Sequence, residues 1–96
     1  EAVFGMVLET ADDEMMAELG LSGGVLVLEV APESPAGMAG IVGGDVVTRL
    51  GSSAVQSTND FETAVARLRP GQSVAIRLIR RGAPLFLAIR VPQAEQ

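Results

Sequence analysis

Apolar residues alternate with polar or small residues along much of the chain, and this period of two predicts β-strands. The clearest examples are the stretches 74–78 and 85–91, which the turn residues Arg81-Gly82-Ala83 join into a predicted hairpin. Apolar runs bounded by Gly, Pro or Ser predict further strands at 5–9, 25–30, 46–50 and 54–55. The pattern therefore indicates a mainly β protein.

Two short segments carry the residues that begin and end helices. Asp12 is suited to an N-cap, and Gly20 is suited to the left-handed position that ends a helix. Between them, apolar residues recur at helical spacing: Met15, Met16 and Leu19. Ser34 followed by Pro35 predicts a second start, and Gly40 limits that segment to a short helical turn.

A longer helix is predicted in the second half of the chain, before Pro70-Gly71. Asn59, or Thr58, is suited to its N-cap, and Glu62 stands at capping-box distance from Asn59. Its apolar residues recur at helical spacing: Phe61, Ala64, Val65 and Leu68. This stripe is wider than one core contact requires, because Ala64 alone can supply the inward face.

The order of the elements predicts a small, mostly antiparallel sheet that curls to bury one face, with helices covering its open sides. The predicted fold class is mostly β with two helices, in a partly open antiparallel barrel or sandwich. The core candidates are Val25, Val27, Val30, Ile41, Val47, Leu50, Ala64, Ile76, Leu78, Leu87 and Ile89.

Composition narrows the possible chemistry. The chain has 96 residues, which fit one domain over 1–96, and 48% of them are hydrophobic. It has no Cys, His or Lys, which excludes disulfides, thiolate metal sites and catalysis by Cys, His or a Ser–Lys pair. The acids at 12–14 lack the spacing of a calcium loop, and no phosphate-loop motif occurs. We therefore expect a non-catalytic domain without metal or cofactor.

Charge is divided between the two halves of the chain. Residues 1–48 carry nine acidic and no basic residues, whereas residues 49–96 carry seven Arg and three acidic residues, so the net charges are −9 and +4 and sum to −5. Two interpretations stay open: two solvated faces, or a surface that docks on a charged partner domain. The negative total argues against nucleic acid as a partner. No apolar run reaches the roughly 18–20 residues that a bilayer requires.

Two features are candidates for a binding groove. In Val3-Phe4-Gly5-Met6, a Gly between two large apolar residues lets successive backbone N–H groups converge. Such a group of amides holds an anion, for instance a terminal carboxylate. The second feature is the stripe of Phe61, Val65 and Leu68 on the longer helix. The alternative is that all of these residues belong to the core.

The stretch 34–47 reads Ser-Pro-Ala-Gly-Met-Ala-Gly-Ile-Val-Gly-Gly-Asp-Val-Val. It resembles the S-P-A-x-x-A-G-[LI]-x-x-G-D-[VI]-[IVL] pattern of PDZ domains, specifically those of bacterial HtrA/Deg serine proteases. Phe4-Gly5-Met6 falls where this family has its carboxylate-binding loop, and 57–68 falls where it has its groove helix. The stretch 71–91 is similar to the family's closing hairpin, with Arg80-Arg81-Gly82 at its turn. The resemblance covers about residues 3–91.

This resemblance implies a PDZ-like fold in the bacterial, circularly permuted topology, with a domain core of about 3–91 and a tail over 92–96. It implies a module that binds C-terminal or unfolded, extended peptides by β-strand addition. The implied carboxylate-binding residues are Phe4, Gly5 and Met6. The implied strand and pocket residues are Val7, Leu8, Phe61, Val65 and Leu68. Phe61 would contact the residue two positions before the end of the peptide.

The resemblance also implies a parent, a periplasmic serine endopeptidase of protein quality control and the stress response that this domain regulates or targets. The segment 5–24 looks most like the last (second) PDZ domain of such proteases. Partners would include the protease domain or other PDZ domains of the parent, without membrane contact. Glu1 and Ala2 replace a basic residue common in the family, so Glu1 is expected to weaken carboxylate binding. Two alternatives stay open: a domain that joins protease subunits, and a PDZ domain of an intramembrane protease or a secretion component.

Overall fold

The computed structural model describes residues 3–92, which form six strands and three helices. The strands are β1 (Met6–Thr10), β2 (Val25–Val30), β3 (Val46–Leu50), β4 (Ser53–Ala54), β5 (Ser73–Arg80) and β6 (Ala83–Arg90). The helices are α1 (Asp13–Leu19), α2 (Pro35–Ala39) and α3 (Thr58–Ala66). The mostly β class is confirmed. The helical turn predicted after Ser34 is a helix in its own right, α2, so these residues form three helices where two were predicted. Glu1, Ala2 and the predicted tail beyond Pro92 lie outside the described residues.

All strands belong to one antiparallel sheet with the order β1-β2-β3-β5-β6, and β4 pairs with β3 beside this path. β1 and β6 therefore end the path, and each has one edge that no other described strand covers. β2 and β3 have their predicted bounds, because each is an apolar run between turn residues. β4 begins one residue earlier than predicted, at Ser53.

One face of the sheet, α2 and α3 enclose the main hydrophobic core. Most of the predicted core residues are buried in it, whereas Val30 and Leu87 are only half-buried at its margin. Met6 and Phe61 join this core with no exposed surface. Burying a side chain of this size contributes about 1.5–3 kcal/mol. A second, smaller cluster includes Met16, so α1 packs on a different part of the sheet from α2 and α3.

The short polar residues at the helix ends act as the sequence predicted. The Asp12 carboxylate accepts a hydrogen bond from the Met15 N–H at 2.8 Å, and the Ser34 hydroxyl accepts one from the Gly37 N–H at 3.1 Å. Gly20 ends α1 with φ of +71°, a conformation that glycine adopts without steric strain. These contacts satisfy backbone donors that the first turn of a helix leaves unpaired.

Asp45, the residue before β3, carries a buried carboxylate and is 1% exposed. Arg80, at the end of β5, donates two hydrogen bonds to it, from Nε to Oδ1 at 2.9 Å and from Nη2 to Oδ2 at 2.8 Å. The Val42 N–H also donates to Oδ2 at 3.0 Å, and Arg80 Nη2 donates to the Gly40 carbonyl. The hydrogen bond to Asp45 raises the pKa of Arg80 above its ordinary value, although burial acts in the opposite direction. This network fixes the loop after α2 to the sheet.

Candidate functional site

A tight turn precedes β1 at the predicted carboxylate-binding loop. Phe4 and Gly5 have φ of 55° and 85°, as a two-residue type I′ turn requires. Val3 and Met6 exchange both backbone hydrogen bonds across it, each 2.9 Å long. The Met6 N–H is therefore paired, whereas the prediction had it among three amides available to a carboxylate. The N–H groups of Phe4 and Gly5 donate to no acceptor within residues 3–92.

The chain between β2 and α2 supports this turn. The Ala31 N–H donates to the Gly5 carbonyl at 2.9 Å, and the Ala36 N–H donates to the Phe4 carbonyl at 3.1 Å. The side chain of Ser34, the N-cap of α2, occupies the space that a Cβ on residue 5 would need. Glycine is therefore required at position 5 both by its positive φ and by this close approach. The start of α2 sets the position of the turn.

The outer edge of β1 continues from this turn. The Ala11 N–H donates to the Gly24 carbonyl at 3.0 Å, so these two residues form a hydrogen-bonded pair. Hydrogen-bonded and non-hydrogen-bonded pairs alternate along an antiparallel ladder, and Leu8 therefore directs its N–H and C=O away from β2. Among the described residues, β2 is the one strand that pairs with β1, so these two Leu8 groups face no partner strand there. Further along, the Thr10 hydroxyl accepts a hydrogen bond from the Thr58 N–H at 3.0 Å, which ties β1 to the first residue of α3. Along this edge, Met6 is therefore hydrogen-bonded to Val3, the backbone of Leu8 is available to a partner strand, and the Thr10 side chain is hydrogen-bonded to α3.

A row of half-buried apolar residues accompanies this open edge. It consists of Phe4, Leu8, Val65 and Leu68, all packed against the main core. The ring of Phe4 meets the ring of Phe61 edge to face, with 6.5 Å between the centroids. Val7, by contrast, is 38% exposed, as expected for a residue between two inward-facing positions of a strand. The structure therefore brings six of the predicted site residues together around β1 and α3, with Val7 on the strand's other face and Met6 buried within.

Phe61 lies inside the core with 0% exposure, and its contact with a peptide stays a prediction. Phe61 and Ala64 are three residues apart and both point inward, which leaves Val65 half-buried at the margin of α3. Leu68, predicted to lie on the same helix, is half-buried two residues beyond its end. The sequence pattern could not separate these roles, because the four apolar positions share one broad stripe. In the structure, Phe61 packs against the ring of Phe4 from within the core.

The N-cap of α3 is Ser57, not Asn59 or Thr58 as predicted. The Ser57 hydroxyl accepts a hydrogen bond from the Asp60 N–H at 3.1 Å, and the Asp60 carboxylate accepts one from the Gln56 N–H at 3.0 Å. The reciprocal arrangement resembles a capping box that begins two residues earlier than the one predicted. Three consecutive residues of suitable type, 57–59, made the choice ambiguous in the sequence.

Replacing Ser57 by Ala is therefore expected to lower the free energy of unfolding by about 1 kcal/mol, since it removes the N-cap acceptor. The matched control is Asn59→Ala, which removes a side chain inside the first turn and should change stability by less than about 0.5 kcal/mol. Urea denaturation followed by circular dichroism measures both. A larger loss for Asn59→Ala than for Ser57→Ala would contradict the assignment.

Two other features are absent from residues 3–92. These residues contain no cluster of three acidic, His or Cys side chains placed to hold a metal ion. No helix in the same range has both the length and the apolar character needed to cross a bilayer.

The geometry is an open strand edge beside a helix, with two amides at one end that donate to no acceptor within residues 3–92. A family described as the PDZ domain matches residues 3–91, and the chain belongs to this family. A DegP-like periplasmic serine endoprotease of Ectopseudomonas mendocina is 34% identical over 89 residues, or 93% of this chain and 19% of the relative. A DegP-like relative from Rhizobium meliloti is 39% identical over 80 residues, or 81% and 16%. The chain thus spans less than a fifth of these relatives.

Solved structures agree with this assignment. The HtrA-type protease AlgW with a decapeptide has a TM-score of 0.80 and 27% identity, over 98% of this chain and 30% of that chain. The HtrA3 PDZ domain bound to a phage-derived ligand has a TM-score of 0.76 over 94% of this chain and 84% of that chain, and its 24% identity supports the fold alone. The predicted PDZ-like fold is therefore confirmed. The assignment to the second PDZ domain of a protease stays a prediction.

Proposed function

We propose that this domain binds the C-terminal end of an extended peptide between β1 and α3, as a regulatory or targeting module of a periplasmic serine protease. The observation that carries the proposal is the unpaired outer edge of β1 at Leu8, beside the half-buried apolar row. An incoming antiparallel strand forms two backbone hydrogen bonds with Leu8. The AlgW structures with a decapeptide and a tripeptide support a peptide ligand for this fold.

The carboxylate of the peptide is assigned to the Phe4 and Gly5 N–H groups, which have no acceptor in residues 3–92. Its last side chain enters among Phe4, Leu8, Val65 and Leu68, so we expect an apolar terminal residue. At Met6 the peptide must replace Val3, whose N–H now bonds to the Met6 carbonyl. This exchange returns as many hydrogen bonds as it removes, so affinity depends on the carboxylate and on the apolar side chain.

The wider biological setting rests on the relatives. They are named periplasmic serine endoproteases, and this chain carries neither His nor Lys to activate a serine. We therefore place the protease activity in another part of the parent protein and assign peptide recognition to this domain. Docking on other domains of the parent, the alternative favoured by the division of charge, stays a prediction.

The test compares a peptide ending in Val as the free acid with the same peptide as its C-terminal amide, by isothermal titration calorimetry. We expect the free acid to bind with a Kd of about 1–10 μM, on the order of −7 to −8 kcal/mol. The amide should bind at least about tenfold more weakly, because the turn amides then face a neutral group. Equal affinities would refute the assignment of the carboxylate. A peptide ending in Asp is the control for the apolar terminal pocket.

A further inference from the structure

β6 is the strand at the other end of the sheet, and its outer edge is also unpaired within residues 3–92. The β5–β6 hairpin turns through 81–82, so Arg80 and Ala83 form the hydrogen-bonded pair that closes it. Because the pairs alternate along an antiparallel ladder, every second residue after Ala83 directs its backbone groups outward. The outward set is Pro84, Phe86, Ala88 and Arg90. Pro84 costs the sheet no hydrogen bond, because a residue at an outward position does not donate its N–H to β5.

A helix lies beside this second edge as well. α2 packs against β6 and leaves a cavity of about 440 Å³ between them. Its lining is mainly apolar, with Pro35, Met38 and Ala39 on the helix side and Ala88 on the strand side. Met38 is 79% exposed, although methionine is an apolar residue. β6 and α2 therefore repeat the combination of open strand edge and apolar helix face that β1 and α3 form.

The hairpin beside this groove carries mainly positive charge. Residues 73–90, which form β5, β6 and their turn, contain four Arg and no Asp or Glu. Of these, Arg80 is paired with Asp45, while Arg90 lines the groove. Arg77 lies opposite the exposed Phe86 in the strand register. Glu33 is the one acidic residue in the lining of the cavity. This excess of positive charge favours a ligand that carries negative charge.

We propose that the groove between β6 and α2 is a second strand-addition site, which accepts an internal, extended segment of a partner protein with alternating apolar and acidic residues. The segment pairs with the outward backbone groups of Phe86 and Ala88, places an apolar side chain against Met38 and Ala39, and faces Arg90 with its acids. A second copy of this chain is disfavoured on β6, because the two hairpins would bring their Arg residues together. An internal segment fits because the groove has no counterpart of the amide turn at Phe4-Gly5.

The probe is a peptide with both ends blocked, acetyl-(Val-Glu)₄-amide, added to the 96-residue domain. We expect a Kd of about 0.1–1 mM by NMR titration, with the largest shifts at the amides of Phe86, Ala88 and Arg90. A blocked (Val-Lys)₄ peptide, the matched control, should bind at least about tenfold more weakly. Equal binding of the two peptides, or shifts confined to β1 and α3, would overturn the proposal. A concentration-dependent dimer that buries β6 would assign the groove to a second copy and would overturn it too.

Two variants test the groove directly. Ala88→Pro removes an outward N–H without removing a bond to β5, so it should weaken the blocked peptide at least about fivefold. Met38→Glu places a negative charge at an exposed position of the groove and should weaken it similarly, even if Ala88→Pro fails to fold. Unchanged affinity in folded Met38→Glu would contradict the proposal. The free-acid peptide, which reports on β1 and α3, should bind both folded variants as it binds the wild type, so failure at one groove is distinguished from failure at the other.

Discussion

Replacing Asp45 by Ala is expected to lower the free energy of unfolding by about 3 kcal/mol, the largest effect anticipated for one side chain here. The change removes a carboxylate that is 1% exposed and accepts hydrogen bonds from Arg80 and from the Val42 N–H. It leaves the Val42 N–H without its acceptor, and it frees the guanidinium that holds the loop after α2. A domain of this size has only about 5–15 kcal/mol in total, so a substantial fraction would be lost.

Denaturation in urea at neutral pH measures this loss, with Glu29→Gln as the control, because Glu29 is an exposed acid on β2. The control should stay within about 0.5 kcal/mol of wild type. Arg80→Lys should be intermediate, since lysine keeps the charge but loses the two-pronged contact. The raised pKa of Arg80 means that its contribution is present at neutral pH and lost only when the pH rises above that pKa. A loss below about 1 kcal/mol for Asp45→Ala would show that the network is not important for stability.

Replacing Gly5 by Ala is expected to weaken binding of the free-acid peptide at least about tenfold and to lower the free energy of unfolding by about 2–3 kcal/mol. The left-handed conformation, φ of +85°, adds about 1–2 kcal/mol for any residue with a Cβ. The new Cβ would also collide with the Ser34 side chain, so the turn must move away from the start of α2. Moving it displaces the Phe4 and Gly5 amides together, and binding should fall at least about tenfold.

Two companion variants separate these causes. Gly20→Ala has a similar φ of +71° with no neighbouring atom near its Cβ, so it should show the backbone effect alone, about 1 kcal/mol. Combining Gly5→Ala with Ser34→Gly removes the collision, and glycine still serves as an N-cap with a loss of only a few tenths of a kcal/mol. The double variant should therefore recover part of the lost stability and binding. Additive losses in the double variant would show that Ser34 does not limit residue 5.

Much of the fold was predictable because its signals are local. The bounds of β2 and β3, and the caps at Asp12 and Ser34, follow from short runs of residues whose preferences agree with one another. The predicted N-cap of α3 was wrong because the three adjacent residues 57–59 have similar capping ability. The pair of Asp45 and Arg80 could not be derived, because 35 residues separate its members and no charge pattern joins them.

The candidate site was predictable in its position and less so in its detail. The triplet Phe4-Gly5-Met6 and the stripe on α3 indicated two elements that the structure places side by side. The pairing of the Met6 N–H with Val3 depends on the two-residue turn, which the triplet alone does not specify. The inward direction of Phe61 depends on how α3 rotates against the sheet. The groove beside β6 carried no motif, since it arises from the packing of α2 on a strand distant in sequence.

The two open strand edges bear on how the domain behaves at high concentration. Uncovered edges are the positions from which sheets of different molecules join into insoluble aggregates. Here Pro84 interrupts the row of donors on β6, and the arginines near it repel a second hairpin of the same kind. Concentrated salt, which screens charge over a distance of about 3 Å at 1 M, weakens this repulsion and leaves Pro84 as the remaining obstacle to pairing at this edge.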